Sequence, residues 1–299
     1  DGQRGQGTWQ LLCIIGLVFC QLMTGNTLAN AATPQILNLG NTGEPQTLDP
    51  HRYNLRLEET LLNDLFLGLT TFNSKGKIVP GAAQSWKQSK DGLTWIFYLR
   101  DDLKWSDGVP LTAEDFVYSL RRVMRPKTAA SLAYFLYMIE NAAAVNQGKM
   151  PAQSLGVRAI TPRQLEIKLA APYPYFLERL LYPIAFPVPK HVIDEVGDNW
   201  VKPQHWVSNG AYKLKTWQPQ AFVEMTANPY FYTKVAIEKI RFGNPSCRRS
   251  RILYNTKYMD YTRNSISTSH YGRICNSVNL WRYYFKPISR LILRIIEDL

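Results

Sequence analysis

DGLTWIFYLRDDLKWSDGVPLTAEDFVYSLR, residues 91 to 121, places a strand, a tight acidic loop and a capped helix in immediate succession. Leu93, Trp95, Phe97 and Leu99 alternate with Thr94, Ile96 and Tyr98, a period of two that predicts a strand with one bulky face. Lys90-Asp91-Gly92 supplies the turn before it, so Trp86 to Leu99 reads as a hairpin. Asp107-Gly108-Val109-Pro110 combines a side-chain acceptor, a residue free to take positive φ and a locked φ, which is turn chemistry. Thr112 followed by Asp115 is a capping box. Phe116, Leu120 and Val123 then recur at helical spacing until Arg125-Pro126 stops the helix.

Outward from this stretch, Ile36 to Gly40 reads as a strand and Glu58 to Leu69 as a helix. Ala129 to Asn146 reads as a second long helix, with Leu132, Phe135, Leu136 and Ile139 on its apolar face. Leu155–Ile160 and Leu165–Leu169 make a hairpin around Thr161-Pro162-Arg163-Gln164. Pro172 to Tyr182 and Lys190 to Val196 read as short helices, Ala211–Trp217 and Ala221–Thr226 as a third hairpin, and Glu238–Phe242 as the last strand. Strands and helices interleave without a strict βαβ rhythm, which predicts a mixed-sheet α/β architecture.

The 299 residues are enough for about two domains, and 45% hydrophobic composition can build a core. The net charge is +12, but residues 244 to 299 hold ten Lys or Arg against three acids. The rest is only mildly basic and gives no reason to invoke nucleic acid. Cysteines stand at 13, 20, 247 and 275, so residues 21 to 246 contain no disulfide framework or CxxC metal site. The apolar run Leu11–Met23 is too short for a spanning helix, which needs about 20 residues, and suits a secretory leader. Ala29-Asn30-Ala31 is its small-x-small cleavage site, so residues 1–31 are expected to be a signal peptide and the mature chain to start near Ala32. The single n-region charge, Arg4, and the opening on Asp1 suggest an incomplete amino terminus.

Asp101, Asp102, Asp107, Glu114 and Asp115 crowd together, and paired carboxylates are what a secreted hydrolase using the cluster 101–115 would need. Turn acids at 101, 102 and 107 and helix-start acids at 114 and 115 explain the same residues more economically. His51, His191, His205 and His270 lack paired ligand spacing, and neither a P-loop nor GxSxG occurs, so no metal, cofactor or catalytic residue is assigned. Trp95 and Phe97 read as core, whereas Trp105, on its loop, reads as surface packing between lobes.

Five ordered blocks carry a resemblance: Gly43-Glu44-Pro45-Gln46-Thr47-Leu48-Asp49-Pro50-His51, Asp64-Leu65-Phe66-Leu67-Gly68-Leu69, Lys104-Trp105-Ser106-Asp107-Gly108, Pro187-Val188-Pro189-Lys190 and Asn209-Gly210-Ala211-Tyr212-Lys213-Leu214. With residues 91–121 they resemble the bacterial extracellular solute-binding proteins that feed peptide ABC importers. The resemblance begins near Leu39 and ends at Phe242. It implies a type II periplasmic binding-protein fold, with mixed sheets and flanking helices, that is incomplete because its second lobe is missing. It implies a lobe I from 33–66 plus 191–242, a smaller domain inserted at 67–190, and a non-family basic tail at 243–299, expected to be disordered and to come from truncation or a frameshift.

The function that the resemblance implies is a periplasmic subunit that binds oligopeptide and delivers it to membrane permeases, without a catalytic step. A family member for another ligand, murein peptide, nickel or haem, is the alternative. One ligand wall should come from Tyr53, Asn54, Leu55 and Arg56, and another from Leu132 and Tyr134. Peptide binders of the family commonly carry an acid near the place of Asn54 and a tyrosine near that of Leu132, so the ligand class is left open.

Overall fold

A computed structural model of the protein describes residues 36–41, 43–73 and 75–243. The expectations for the leader at 1–31 and the tail from 244 onward lie outside these residues. Along the chain the elements are β1 (Ile36–Gly40), α1 (Arg56–Leu65), β2 (Thr70–Phe72), β3 (Ile78–Pro80), β4 (Ala83–Gln88), β5 (Thr94–Leu99), α2 (Ala113–Met124), α3 (Ala142–Asn146), β6 (Val157–Thr161), β7 (Gln164–Lys168), α4 (Phe176–Arg179), α5 (Lys190–Val196), β8 (Tyr212–Gln218), β9 (Phe222–Ala227) and β10 (Lys239–Gly243).

Two four-stranded sheets organise them. One runs β1-β10-β9-β8, with β1 parallel to β10 and the other pairs antiparallel. The other runs β4-β5-β7-β6 and is antiparallel throughout, while β2 and β3 form a separate hairpin. Only the first sheet is therefore mixed.

The strand within residues 91–121 behaves as its alternation demands. Trp95, Phe97 and Leu99 are buried and their neighbours half-buried. Trp95 and Phe97 pack with Phe176 of α4, at ring-centroid distances of 5.4 Å and 6.3 Å. Helix α2 buries Phe116, Val117, Leu120 and Val123 and packs on β6 and β7. At about 1.5–3 kcal/mol for each large apolar side chain removed from water, this face holds the helix in place. At its start the Asp115 carboxylate accepts the Thr112 amide at 2.8 Å and its hydroxyl at 3.2 Å.

Three helix boundaries differ from the periodic reading. Helix α1 ends at Leu65, and Phe66 turns extended at φ −130°, ψ 158°. Beyond it the Asn209 side chain takes both backbone groups of Leu67, accepting its amide at 3.1 Å and donating to its carbonyl at 2.9 Å. A continuing helix would need those groups itself. The expected helix over Ala129–Asn146 is broken by left-handed residues at its first position, Ala129 at φ 52°, and again inside it, Asn141 at φ 63°. In between, residues 138–140 run beside β7: the Glu140 amide donates to the Lys168 carbonyl at 2.9 Å and the Ala170 amide to the Met138 carbonyl at 2.9 Å. Only a 3-10 turn at Ala133–Leu136 and the short α3 are helical there. The helix expected over Pro172–Tyr182 shrinks to the four residues of α4.

Trp105 is fully buried rather than on a surface. Its loop is stitched to the start of the β8 hairpin: the Ser106 amide donates to the Ser208 carbonyl at 2.8 Å, and the Ser208 amide to the Ser106 hydroxyl at 3.1 Å. Gly108 at φ 92° closes the turn. Next to Ser208, the Gly210 amide donates to the Leu65 carbonyl at 2.9 Å, and a Cβ there would lie 2.4 Å from the Leu65 carbonyl carbon. Hence the Lys104–Gly108 loop is bonded to Ser208, immediately before Asn209–Leu214, and that segment is bonded in turn to the end of α1.

Candidate functional site

The segment preceding α1 is held by buried charge. Glu58, in the first turn of α1, is fully buried, and its carboxylate accepts four backbone amides: Gln46 at 2.7 Å, and Thr47, Asn54 and Leu55 at 3.0 Å each. One carboxylate thus ties both ends of the 46–55 loop to the helix start, where the helix dipole also favours negative charge.

A second clamp lies inside the loop. Arg122 of α2 grips Asp49 with two donors, Nη1 to Oδ1 at 3.1 Å and Nη2 to Oδ2 at 2.6 Å. Its Nη1 also donates to His51 Nδ1 at 2.8 Å, and His51 Nε2 donates to the Phe186 carbonyl at 3.0 Å. These partners require a neutral imidazole with its proton on Nε2. Burial and the Arg122 charge push the His51 pKa down to about 4. Asp49 stays below the ordinary carboxylate range because Arg122 and the His51 amide outweigh its burial. Trp200 lies against the Arg122 guanidinium at 6.0 Å and stacks on Trp206, 5.9 Å away.

The clamps bring the two expected walls together. Arg52 Nε donates to the Thr128 carbonyl at 3.1 Å, tying the 52–56 segment to the turn that leads into 131–134. Tyr53 is buried, and burial, with Glu59, Tyr182 and Tyr134 nearby, drives its phenol pKa upward. Asn54 and Arg56 are exposed and Leu55 and Leu132 half-buried. Tyr134 is 55% exposed. Of the six expected residues, then, Asn54, Arg56 and Tyr134 present themselves to solvent, while Tyr53 supports from beneath.

Two recesses flank this surface. One of about 210 Å³ is lined by Glu59, Phe66, Thr71, Tyr182, Phe186 and Phe231 among others. Burial raises the pKa of Glu59 above its ordinary range, against the opposing charge of Arg56. The second, about 370 Å³, is lined by Tyr134, Phe135, Met138, Tyr173 and Arg179. Tyr182, on the wall of the first, packs edge-on against Phe135 of the second at 5.1 Å. Sequence reading missed Glu58, Arg122 and Arg179. For Glu58 the signal was available, as an acid three residues into a helix; for the other two, only the fold reveals the partner.

The acids 101–115 do not converge. Asp101 pairs with Arg163. Asp107 accepts the Val109 amide at 3.1 Å, as a turn acid should, and pairs with His191 Nε2 at 2.7 Å. Asp115 caps α2, and Asp102 and Glu114 are exposed. Among the described residues no group of three or more His, Cys, Asp or Glu could hold a metal ion.

Comparison with known proteins decides the family. Residues 77–253 match the model of the bacterial extracellular solute-binding proteins, family 5. The chain belongs to this family. The match runs past Phe242, where the sequence blocks stop. The periplasmic oligopeptide-binding protein OppA of Escherichia coli is 37% identical over 262 residues, covering 83% of this chain and 48% of that protein. The periplasmic murein peptide-binding protein MppA of the same species is 40% identical over 203 residues, 67% of this chain and 37% of that protein. The solved OppA of Burkholderia pseudomallei superposes with a TM-score of 0.71 at 34% identity, over 81% of this chain and 48% of that one. The chain thus spans about half the length of the curated relatives it matches, or less. Membership of this solute-binding family points to a binding role rather than catalysis.

Proposed function

We propose that this chain contributes to a periplasmic oligopeptide-binding subunit of an ABC importer, holding one face of an extended peptide for delivery to membrane permeases. The observation that supports the reading is the doubly clamped 46–56 loop, whose Arg52 bonds to the Thr128 carbonyl shortly before the wall proposed at Leu132 and Tyr134. Such walls bind through main-chain hydrogen bonds while open recesses accept varied side chains. Its family relatives include proteins named for oligopeptide and murein peptide binding.

In this reading 33–66 and 191–242 form lobe I, and 67–190 is the inserted domain. In support, β1 pairs with β10 across the whole described chain, whereas β4 to β7 complete a sheet from within 83–168. Residues 1–31 act as the export signal, in keeping with relatives named periplasmic.

Titration calorimetry with tri- to pentapeptides tests the binding role. Affinity for peptides that falls on Asn54→Ala and Tyr134→Ala, with the melting temperature unchanged, is the expected result. Peptide binding indifferent to both substitutions would overturn the placement of the walls, and sequencing the amino terminus of exported protein would test cleavage near Ala32.

A further inference from the structure

The recess of about 370 Å³ is lined by a cation, Arg179, and by no acid among the described residues. Arg179 Nε and Nη2 both donate to the Tyr173 hydroxyl, at 3.3 Å and 3.2 Å. Its guanidinium lies 5.2 Å from the Phe135 ring centroid. Among the described residues no carboxylate pairs with it; Glu178, its neighbour in sequence, lines the other recess. A guanidinium carries five N–H donors in a planar fork suited to a carboxylate, and one neutral phenol leaves most of them uncommitted.

The walls supply the rest of the recognition. Phe135 meets Tyr134 edge-on at 4.7 Å and Tyr182 at 5.1 Å, and Tyr173 meets Tyr175 at 6.3 Å. Tyr134 is 55% and Tyr175 64% exposed, so two aromatic rings stand open to solvent at this surface. Ligand recesses combine such apolar walls with a few polar groups that fix orientation, and their volumes start near 300 Å³. We infer that this recess binds a carboxylate carried on an apolar body, with Arg179 receiving the carboxylate and Tyr134, Phe135 and Met138 the body. This deepens the solute-binding reading and rests on it. A peptide ending in an apolar residue and a small aryl-alkanoic acid both present this chemistry.

The test titrates the full chain with N-acetyl-Ala-Phe and with 4-phenylbutyrate, each beside its neutral carboxamide. Each acid that binds should do so about ten- to a hundredfold more tightly than its amide, the range expected for one charge-assisted contact. Arg179→Gln should erase that difference, and Arg179→Lys should keep part of it because the charge remains but the fork is lost. Preference for the peptide acid alone would identify a peptide carboxyl end as the source; equal preference for phenylbutyrate would show that the carboxylate and ring suffice. Acid and amide binding alike to the unsubstituted chain would overturn the inference while leaving solute binding intact, and this comparison does not depend on any variant folding. Binding of neither acid would also overturn it. The solute-binding reading would fail with it only if free peptides carrying an amine failed to bind as well.

Discussion

Replacing Glu58 by Gln changes one atom and should nonetheless be among the most damaging substitutions in the chain. Its two oxygens accept four amides at 2.7 to 3.0 Å in a fully buried position. Glutamine keeps one acceptor oxygen and replaces the other by an NH2 that faces two N–H donors. Two hydrogen bonds to a charged acceptor are lost, each worth about 1.5–3 kcal/mol, and two part-buried amides are left unpaired. The expected destabilisation is about 3–6 kcal/mol, a large part of the 5–15 kcal/mol typical of a domain. Equilibrium urea unfolding gives the total. Hydrogen exchange locates it: protection should fall at Gln46 and Thr47 or at Asn54 and Leu55, whichever pair the amide abandons, and much less in β5 or β7. Glu59→Gln, on the half-buried next position, serves as control. A loss below about 1 kcal/mol for Glu58→Gln, or one no larger than that of the control, would refute the claim that this carboxylate holds the loop.

His51 makes stability depend on pH. Its folded pKa of about 4 lies below the ordinary 6.5, so the unfolded chain takes up the proton first. Stability present above pH 6.5 should therefore fall by about 3 kcal/mol between pH 6.5 and 4, and His51→Gln should flatten that part of a melting-temperature profile. Asp49, depressed by Arg122, adds a further loss only below its ordinary pKa of 3.8. Arg122→Met should cost about 3–5 kcal/mol by leaving Asp49 buried and uncompensated. The double variant with Asp49→Asn should cost less than the sum of the singles in urea unfolding. Gly210→Ala would set a methyl 2.4 to 2.6 Å from the backbone of residues 64–66. A loss of about 1–3 kcal/mol, read as a lower melting temperature, is expected there, because backbone cannot yield as a side-chain tip does.

Sequence alone determined the parts of this protein whose causes are local. The alternation at Trp95, Phe97 and Leu99, the turn at Asp91-Gly92, the Thr112–Asp115 cap and the stop at Arg125-Pro126 act within a few residues, and β5 and α2 follow them. The family was legible in the same way, from five short blocks. Tertiary structure decided where a local signal met a stronger distant partner. Ala129 to Asn146 has a helical apolar period, but residues 138–140 bond beside β7 instead, and backbone hydrogen bonds to a sheet outweigh a weak helical preference. Trp105 is core although its sequence position suggests a surface loop, because a loop position carries no sign of the Ser106–Ser208 stitch beside it. Likewise Asp49, His51 and Arg122 stand 71 to 73 positions apart along the chain between arginine and its partners. The Asp49 and Arg122 charges become a clamp only when folding removes the water that would otherwise screen them.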